Sequence, residues 1–253
     1  MHTLLLWWSG IILEGLILLR SFQTRCIRRY PVFFAYIGCV LLSQILRYVV
    51  YSTRPPMYVH WYWRTQFVCL IVGYGIILEI MEKTLALYNG AKKFAQAAGL
   101  VLLALVLVLV FALSFAKPVW FGIETELDLE RDLRIVEALI FTTFLGVIFR
   151  YGIGIGKNIK GMILGYGLYI ATAIVGLAGT SYVGSAFNGV FSAIQAHSYL
   201  VSLLIWTVTL WSYRPNPVPE RSLELETDYE AIASKTRNAL GAMRTYLAKA
   251  ARS

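Results

Sequence analysis

The sequence predicts an all-α polytopic membrane protein, a bundle of seven transmembrane helices followed by a cytoplasmic amphipathic helix. Composition is the first reason, since 58% of the 253 residues are hydrophobic and the mean hydropathy is +0.64. Charge patterning is the second, because only 15% of residues are charged and they collect in short blocks between apolar runs. A soluble domain would carry about 25% charge. A helix that crosses the hydrocarbon core needs roughly 20 apolar residues.

Seven apolar segments meet this requirement and leave little of the chain for a soluble domain. The first is not a cleaved signal peptide, because it lacks a basic amino-terminal region and Glu14 interrupts it. The seven prolines lie outside the span cores, which predicts continuous helices. Residues 1–213 form the predicted transmembrane domain, with spans at approximately 3–19, 31–51, 61–81, 95–116, 133–149, 160–181 and 189–212.

Lysine and arginine in the connecting loops predict the orientation. Loops on the cytoplasmic side of a membrane are enriched in these residues. The loops after the first, third and fifth spans hold ten basic residues, from Arg20 to Lys160, whereas the alternate loops hold four, Arg54, Lys117, Arg131 and Arg134. We therefore expect the N-terminus outside and the C-terminus in the cytoplasm. The net charge of +9 mostly reflects this bias, which suits an anionic inner leaflet and does not indicate nucleic acid.

The tail, residues 214–253, starts with a proline-rich stretch and continues with an acidic and then a basic block. Thr227 and Glu230 have capping-box spacing, and apolar residues then recur at three- and four-residue steps. This predicts an amphipathic helix over approximately 228–250. Such a helix packs on the protein's own cytoplasmic face or the lipid surface, docks a partner, or forms a short coiled coil with a second copy.

Polar and charged residues in the outer parts of several spans predict a buried polar layer. Intramembrane charges normally face the bundle interior and mark functional sites. Because the layer holds two arginines, Arg47 and Arg64, but only one carboxylate, Glu137, we expect an outward pocket for an anionic group or a lipid headgroup. The alternative is an internal ion-pair network that locks the bundle, with the surplus arginine extended toward the interface. The predicted layer comprises Ser43, Gln44, Arg47, Arg64, Gln66, Glu137 and Gln195.

The last span carries a polar stripe along a single helical face, and lipid offers these groups no partner. The stripe lines a cavity or forms hydrogen bonds with neighbouring helices; Tyr199 and Ser202 continue the polar layer inward. Two further buried carboxylates, Glu14 and Glu79, lie toward the inner side of the first and third spans. The complete stripe is Asn188, Ser192, Gln195, Tyr199, Ser202, Trp206 and Thr209.

No cofactor or metal site is predicted. A zinc or haem site would require converging histidines, and His197 lies on the apolar face of its span. The range 189–212 contains no lysine that could hold retinal, and no catalytic or nucleotide-binding motif stands in its required context. The cysteines do not have zinc-site spacing, and no pair of them is expected on the oxidising side.

The seven-span layout with an outside N-terminus and a cytoplasmic tail helix resembles, in outline, the seven-helix sensor modules that precede bacterial histidine kinases. The resemblance rests on topology over the whole chain. It implies a sensing function. Because no kinase or other output domain follows up to Ser253, such a module would signal through a partner.

The sequence thus predicts a non-enzymatic, multi-pass protein of the cell membrane, either a sensor-like module or an accessory subunit of a membrane complex. Expected partners are membrane lipids, other membrane or cytoplasmic subunits, or a second copy, and not nucleic acid. Replacing Arg64 with leucine is expected to abolish ligand or partner retention. The first alternative is a small-solute or proton-coupled ion transporter that uses Glu14 and Glu79. The second is an intramembrane metal hydrolase.

Overall fold

The computed structural model describes residues 2–86, 88, 90, 92, 93, 95–97, 99–101, 104, 108, 123–183, 188–215 and 223–250. These residues form helices joined by turns, with no strand among them. Short 3-10 turns at Cys26–Arg28 and Pro55–Met57 connect the first three helices. We label the long helices α1 (His2–Thr24), α2 (Pro31–Thr53), α3 (Tyr58–Thr84), α4 (Ile123–Tyr151), α5 (Lys157–Val183), α6 (Asn188–Thr209) and α7 (Leu223–Ala250).

Five of these helices, α1, α2, α3, α5 and α6, are long and apolar enough to cross a membrane. The chain is therefore an all-helical membrane protein, as predicted. The predicted span 133–149 lies inside α4, which is not among the five, and the predicted span 95–116 falls mostly outside the described residues. The tail helix α7 begins before the expected start at 228, so Thr227 lies within the helix and does not cap it.

The described helices of the bundle alternate in direction. Helices α1, α3, α4 and α6 begin at one end, which we call the α1 end, and α2 and α5 finish there. Large apolar side chains fill the half away from the α1 end, among them Phe33, Ile76 and Ile80. On the outward surfaces of α1, α2 and α6, leucine, isoleucine and valine remain exposed, as expected where lipid replaces water.

Small residues on α5 allow it to pack closely against α6. A Cβ atom on Gly161 would overlap the side chain of Thr209, and one on Gly165 would overlap the ring of Trp206. This is the close helix approach expected from the glycine-rich sequence of that span. It seats the fully buried Trp206 against the backbone of α5, where the ring also meets Phe33 of α2 edge-on.

Helix α6 presents two distinct faces. Ser202 and Trp206 are fully buried, whereas the opposite face, with Val190, Val201 and Val208, is exposed. Over the part of the stripe whose side chains the structure describes, the three- and four-residue periodicity therefore matches the face of α6 that packs into the bundle; the side chains of Asn188 and Ser192 lie outside that part.

Candidate functional site

A cavity of about 560 Å³ lies in the half of the bundle nearest the α1 end. Residues of α1, α2, α3, α5 and α6 enclose it, so its walls come from both the amino- and carboxyl-terminal parts of the transmembrane domain. On α3 it reaches from Tyr58 to Cys69, a depth of about 16 Å by helical rise. Among its described lining residues are six of the predicted polar residues: Ser43, Gln44, Arg47, Gln66, Gln195 and Tyr199.

Arg47 of α2 reaches the cavity from one side and is held there by α3. Its Nε donates to the hydroxyl of Thr65 at 2.7 Å, and its Nη2 donates to the side-chain oxygen of Gln66 at 3.1 Å and to the carbonyl of Tyr62 at 3.3 Å. The guanidinium also lies over the Tyr62 ring, 4.4 Å from its centre. These contacts fix the position of the charge in a partly desolvated environment.

Gln66 connects Arg47 to a buried charge cluster on α4. While its oxygen accepts from Arg47, its Nε2 donates to Glu130 at 2.7 Å. Arg134 lies between two carboxylates, with its Nη1 3.0 Å from Glu137 and its Nη2 3.7 Å from Glu130. Glu130, Arg134 and Glu137 are all buried, so each needs these partners.

Helix α5 completes the cluster. Tyr166 donates a hydrogen bond to Glu137, and Arg134 donates one to the hydroxyl of Tyr169 at 3.2 Å. The Tyr169 ring also lines the cavity and meets the ring of Tyr199 at 5.6 Å. The polar layer is therefore continuous from α2 through α3 and α4 to α5.

The expectation of a surplus positive charge in this layer is wrong. Both Glu130 and Arg134 count as charges of the loop before the fifth span in the sequence-based prediction, yet α4 begins at Ile123 and both side chains are buried within the bundle. With Arg47 and Glu137, two arginines face two carboxylates. The spacing of the three α4 charges at three and four residues places them on the same helical face, a pattern that the sequence already contained.

Arg64 does not lie in the cavity. Its side chain is exposed and stacks on Trp61 with 5.8 Å to the ring centre, and it is absent from the described cavity lining. The physical reason is helix geometry, because residues two positions apart lie about 200° apart around the axis. Since Gln66 faces inward, Arg64 must face nearly the opposite way. The expectation that Arg64 retains a ligand therefore has no geometric support.

Glu14 of α1 lies beneath the cavity and is fully buried. One carboxylate oxygen accepts hydrogen bonds from Gln44 Nε2, at 2.7 Å, and from the Tyr199 hydroxyl. The other oxygen has no hydrogen-bond partner among the described residues. Gln44 and Tyr199 both line the cavity, so they form a polar floor that separates Glu14 from it.

Glu79 of α3 caps the amino-terminal end of α2 and is not among the described residues that line the cavity. Its two oxygens accept the backbone N–H groups of Val32, at 3.1 Å, and Phe33, at 2.8 Å. Because Pro31 occupies the first turn of α2 and has no N–H, Glu79 satisfies the next two free donors of that turn. This is helix capping by a residue from another helix, a structural role that does not follow from the position of Glu79 in its span.

Ser202 also makes a structural contact, since its hydroxyl donates to the carbonyl of Ser198 at 2.9 Å within α6. His197 lines the cavity wall, and its Nδ1 lies 2.7 Å from the carbonyl of Ala193. The cysteines are free, although the sulfur atoms of Cys39 and Cys69 lie 3.8 Å apart. Among the described residues, no three His, Cys, Asp or Glu side chains converge as a metal site would require.

At the other end of the bundle, α4 contacts the tail. The Tyr151 hydroxyl donates to the carboxylate of Asp228 in α7 at 3.1 Å, and this hydrogen bond raises the pKa of Tyr151. The contact is exposed to solvent and its contribution to stability is small.

No family model, curated protein or solved structure matches the chain. The physical features of the cavity therefore carry the functional interpretation.

Proposed function

We propose that this protein is a non-enzymatic, multi-pass protein of the cell membrane that binds a small anionic ligand in the cavity at the α1 end. It would act as a sensor-like module or as an accessory subunit of a membrane complex. The observation that carries the proposal is the position of Arg47. It is the only lysine or arginine among the described lining residues, and no described carboxylate lies within ion-pair distance of it.

The chemistry of Arg47 favours an anion. The charges of the layer balance, but its ion pairs go to Arg134 and Arg47 has none of its own among the described residues. A partly desolvated guanidinium in this position gains from direct contact with an anion. The carboxylates nearby are already engaged: Glu130 accepts from Gln66, and Glu14 accepts from Gln44 and Tyr199. Neither is among the described lining residues, so an entering anion meets Arg47 first.

Two arginines allow a matched test. Arg47→Gln removes the charge inside the cavity, whereas Arg64→Gln removes a charge of the same type from an exposed side chain of the neighbouring helix. We expect gentle purification from native membranes, followed by mass spectrometry, to find an anionic small molecule with the wild type and with Arg64→Gln. The same species should be depleted in Arg47→Gln. Equal retention by all three proteins would contradict the proposal.

The full topology, seven spans with the N-terminus outside and the C-terminus in the cytoplasm, belongs to the same proposal. The excess of lysine and arginine in the loops after the first, third and fifth predicted spans supports this topology. The antiparallel order of the described helices is compatible with it. In a cysteine-free background, Thr53→Cys should react with a membrane-impermeant maleimide in intact cells. Gly154→Cys, in the turn between α4 and α5, should react only after permeabilisation. If Gly154→Cys reacts in intact cells and Thr53→Cys reacts only after permeabilisation, the orientation is the opposite of the one proposed.

A second candidate function is a proton-coupled solute carrier, which the unpartnered oxygen of Glu14 favours. Glu79 no longer contributes to this candidate, because both of its oxygens cap α2. Proton-coupled uptake into liposomes that disappears in Glu14→Gln would support transport. Uptake that is unchanged in that variant would exclude Glu14 as the coupling group.

A further inference from the structure

We propose that the ligand of the cavity is an amphipathic monocarboxylate whose carboxylate binds Nη1 of Arg47 and whose apolar body lies among the aromatic rings of the wall. This inference rests on the proposed function and specifies its ligand class. It follows from the donor inventory of Arg47, from the number of fixed charges in the lining and from the composition of the wall.

The donor inventory leaves a defined part of Arg47 for a ligand. A guanidinium carries five N–H groups, one on Nε and two on each terminal nitrogen. Thr65 takes the Nε hydrogen, while the carbonyl of Tyr62 and the oxygen of Gln66 take those on Nη2. Nη1 keeps both of its hydrogens without a described partner. Carboxylate oxygens accept such charge-assisted hydrogen bonds well.

The charge of the lining favours a single negative charge. The described lining residues include no lysine and no arginine other than Arg47. A phosphate group at neutral pH carries about −1.5 to −2 charges and three acceptor oxygens, and such groups are usually bound by several cations or backbone N–H groups. One guanidinium with a single unoccupied nitrogen matches one carboxylate better.

The wall accounts for the rest of the ligand. Trp7, Tyr36, Tyr62, Tyr169 and Tyr199 all contribute to the lining. Aromatic rings offer apolar faces for a hydrocarbon or aryl group. The volume of about 560 Å³ lies within the range of about 300–1,000 Å³ that small-molecule sites occupy. A phenylalkanoate of moderate length fits this combination of one anionic end and an apolar body.

Isothermal titration in phosphatidylcholine nanodiscs, at fixed ionic strength, tests the assignment with four probes. These are 4-phenylbutyrate, its uncharged amide, inorganic phosphate, and phosphatidylglycerol added to the nanodisc lipid. We expect 4-phenylbutyrate to bind the wild type and Arg64→Gln with equal affinity, and Arg47→Gln about ten- to hundredfold more weakly. The amide should bind the wild type as weakly as 4-phenylbutyrate binds Arg47→Gln.

A second variant keeps the test decisive if Arg47→Gln does not fold. Ala193 lines the cavity on α6, on an exposed position away from the hydrogen bonds of Arg47, so Ala193→Phe fills space and leaves Arg47 in place. It should abolish binding of 4-phenylbutyrate without lowering the melting temperature of the empty protein. Unchanged binding in Ala193→Phe would overturn the assignment.

The remaining outcomes separate the ligand class from the site. Phosphate or phosphatidylglycerol binding more tightly than 4-phenylbutyrate, in a manner that depends on Arg47, would overturn the monocarboxylate and leave the anion-binding cavity standing. These two arms also distinguish a free anion from a lipid headgroup. If Arg47→Gln weakens the binding of none of the probes, and Ala193→Phe also blocks none of them, both the ligand class and the proposed function are wrong.

Discussion

The capping of α2 by Glu79 makes a sharp prediction about stability. In Glu79→Gln, one of the two acceptor oxygens becomes an NH2 group, which is a donor and faces a backbone N–H of Val32 or Phe33. Glu79 is only 4% exposed, so water cannot replace the lost acceptor. The substitution also removes a negative charge from the amino-terminal end of α2.

The magnitude follows from these two losses. Leaving one buried backbone N–H without an acceptor costs about 1–3 kcal/mol. Losing the charge beside a helix N-terminus costs about 0.3–1 kcal/mol. We therefore expect Glu79→Gln to lower the free energy of unfolding by about 1–4 kcal/mol.

Thermal unfolding in detergent, followed with a dye that fluoresces on reacting with thiols, would measure the effect. Cys26 is fully buried and lies just before α2, so it becomes reactive when this region opens. Glu82→Gln is the matched control. Glu82 lies on the same helix but pairs with Lys92 at 3.1 Å with its side chain 39% exposed, so its removal should cost less than about 1 kcal/mol.

A melting temperature of Glu79→Gln equal to that of the wild type or of Glu82→Gln would refute the capping role. If solute uptake is found and is lost in Glu79→Gln, the same measurement separates loss of structure from loss of a coupling carboxylate. Loss of uptake without loss of stability would mean that Glu79 takes part in transport.

Two further substitutions test the packing and the charge cluster. Gly165→Ala should destabilise the protein by about 1–3 kcal/mol, because the added methyl group meets the ring of Trp206 within 3 Å; Gly15→Ala, which meets nothing within 4 Å, is the control in the same melting assay. An equal effect of both would refute the close packing of α5 and α6. Arg134→Met should lower the free energy of unfolding by about 3–5 kcal/mol, because it leaves the buried carboxylates Glu130 and Glu137 without their ion-pair partner. A stability equal to that of the wild type would show that the cluster does not need the arginine.

Much of the fold could be predicted from local patterns. Runs of apolar residues identify α1, α2, α3, α5 and α6, because burial in lipid depends on the average hydrophobicity of about 20 neighbours. Periodicity also assigned the faces of α6, where the polar stripe turns inward and the valines outward. Apolar runs alone could not assign the charges of α4, because the charge density there resembles that of a loop; only the spacing of Glu130, Arg134 and Glu137 points to one helical face.

The candidate site was only partly predictable. Gln44, Arg47 and Gln66 were expected in a shared polar layer, and they line the same cavity. Depth in the membrane groups Arg64 with these three residues, because all four lie in the outer parts of their spans. Depth does not determine which side of a helix a residue faces. The rotation of α3, set by its packing on α2, turns Gln66 inward and Arg64 outward.

By itself, the sequence determined that this chain is an all-helical membrane protein, because hydrophobicity and helical period are properties of neighbouring residues. Only the tertiary structure decided which polar groups meet. It joined Glu79 to the first turn of α2, Arg134 to residues of α5, and Glu14 to Tyr199. The physical reason is distance along the chain. A buried charge must find partners in three dimensions, and these partners lie up to 185 residues away in the sequence.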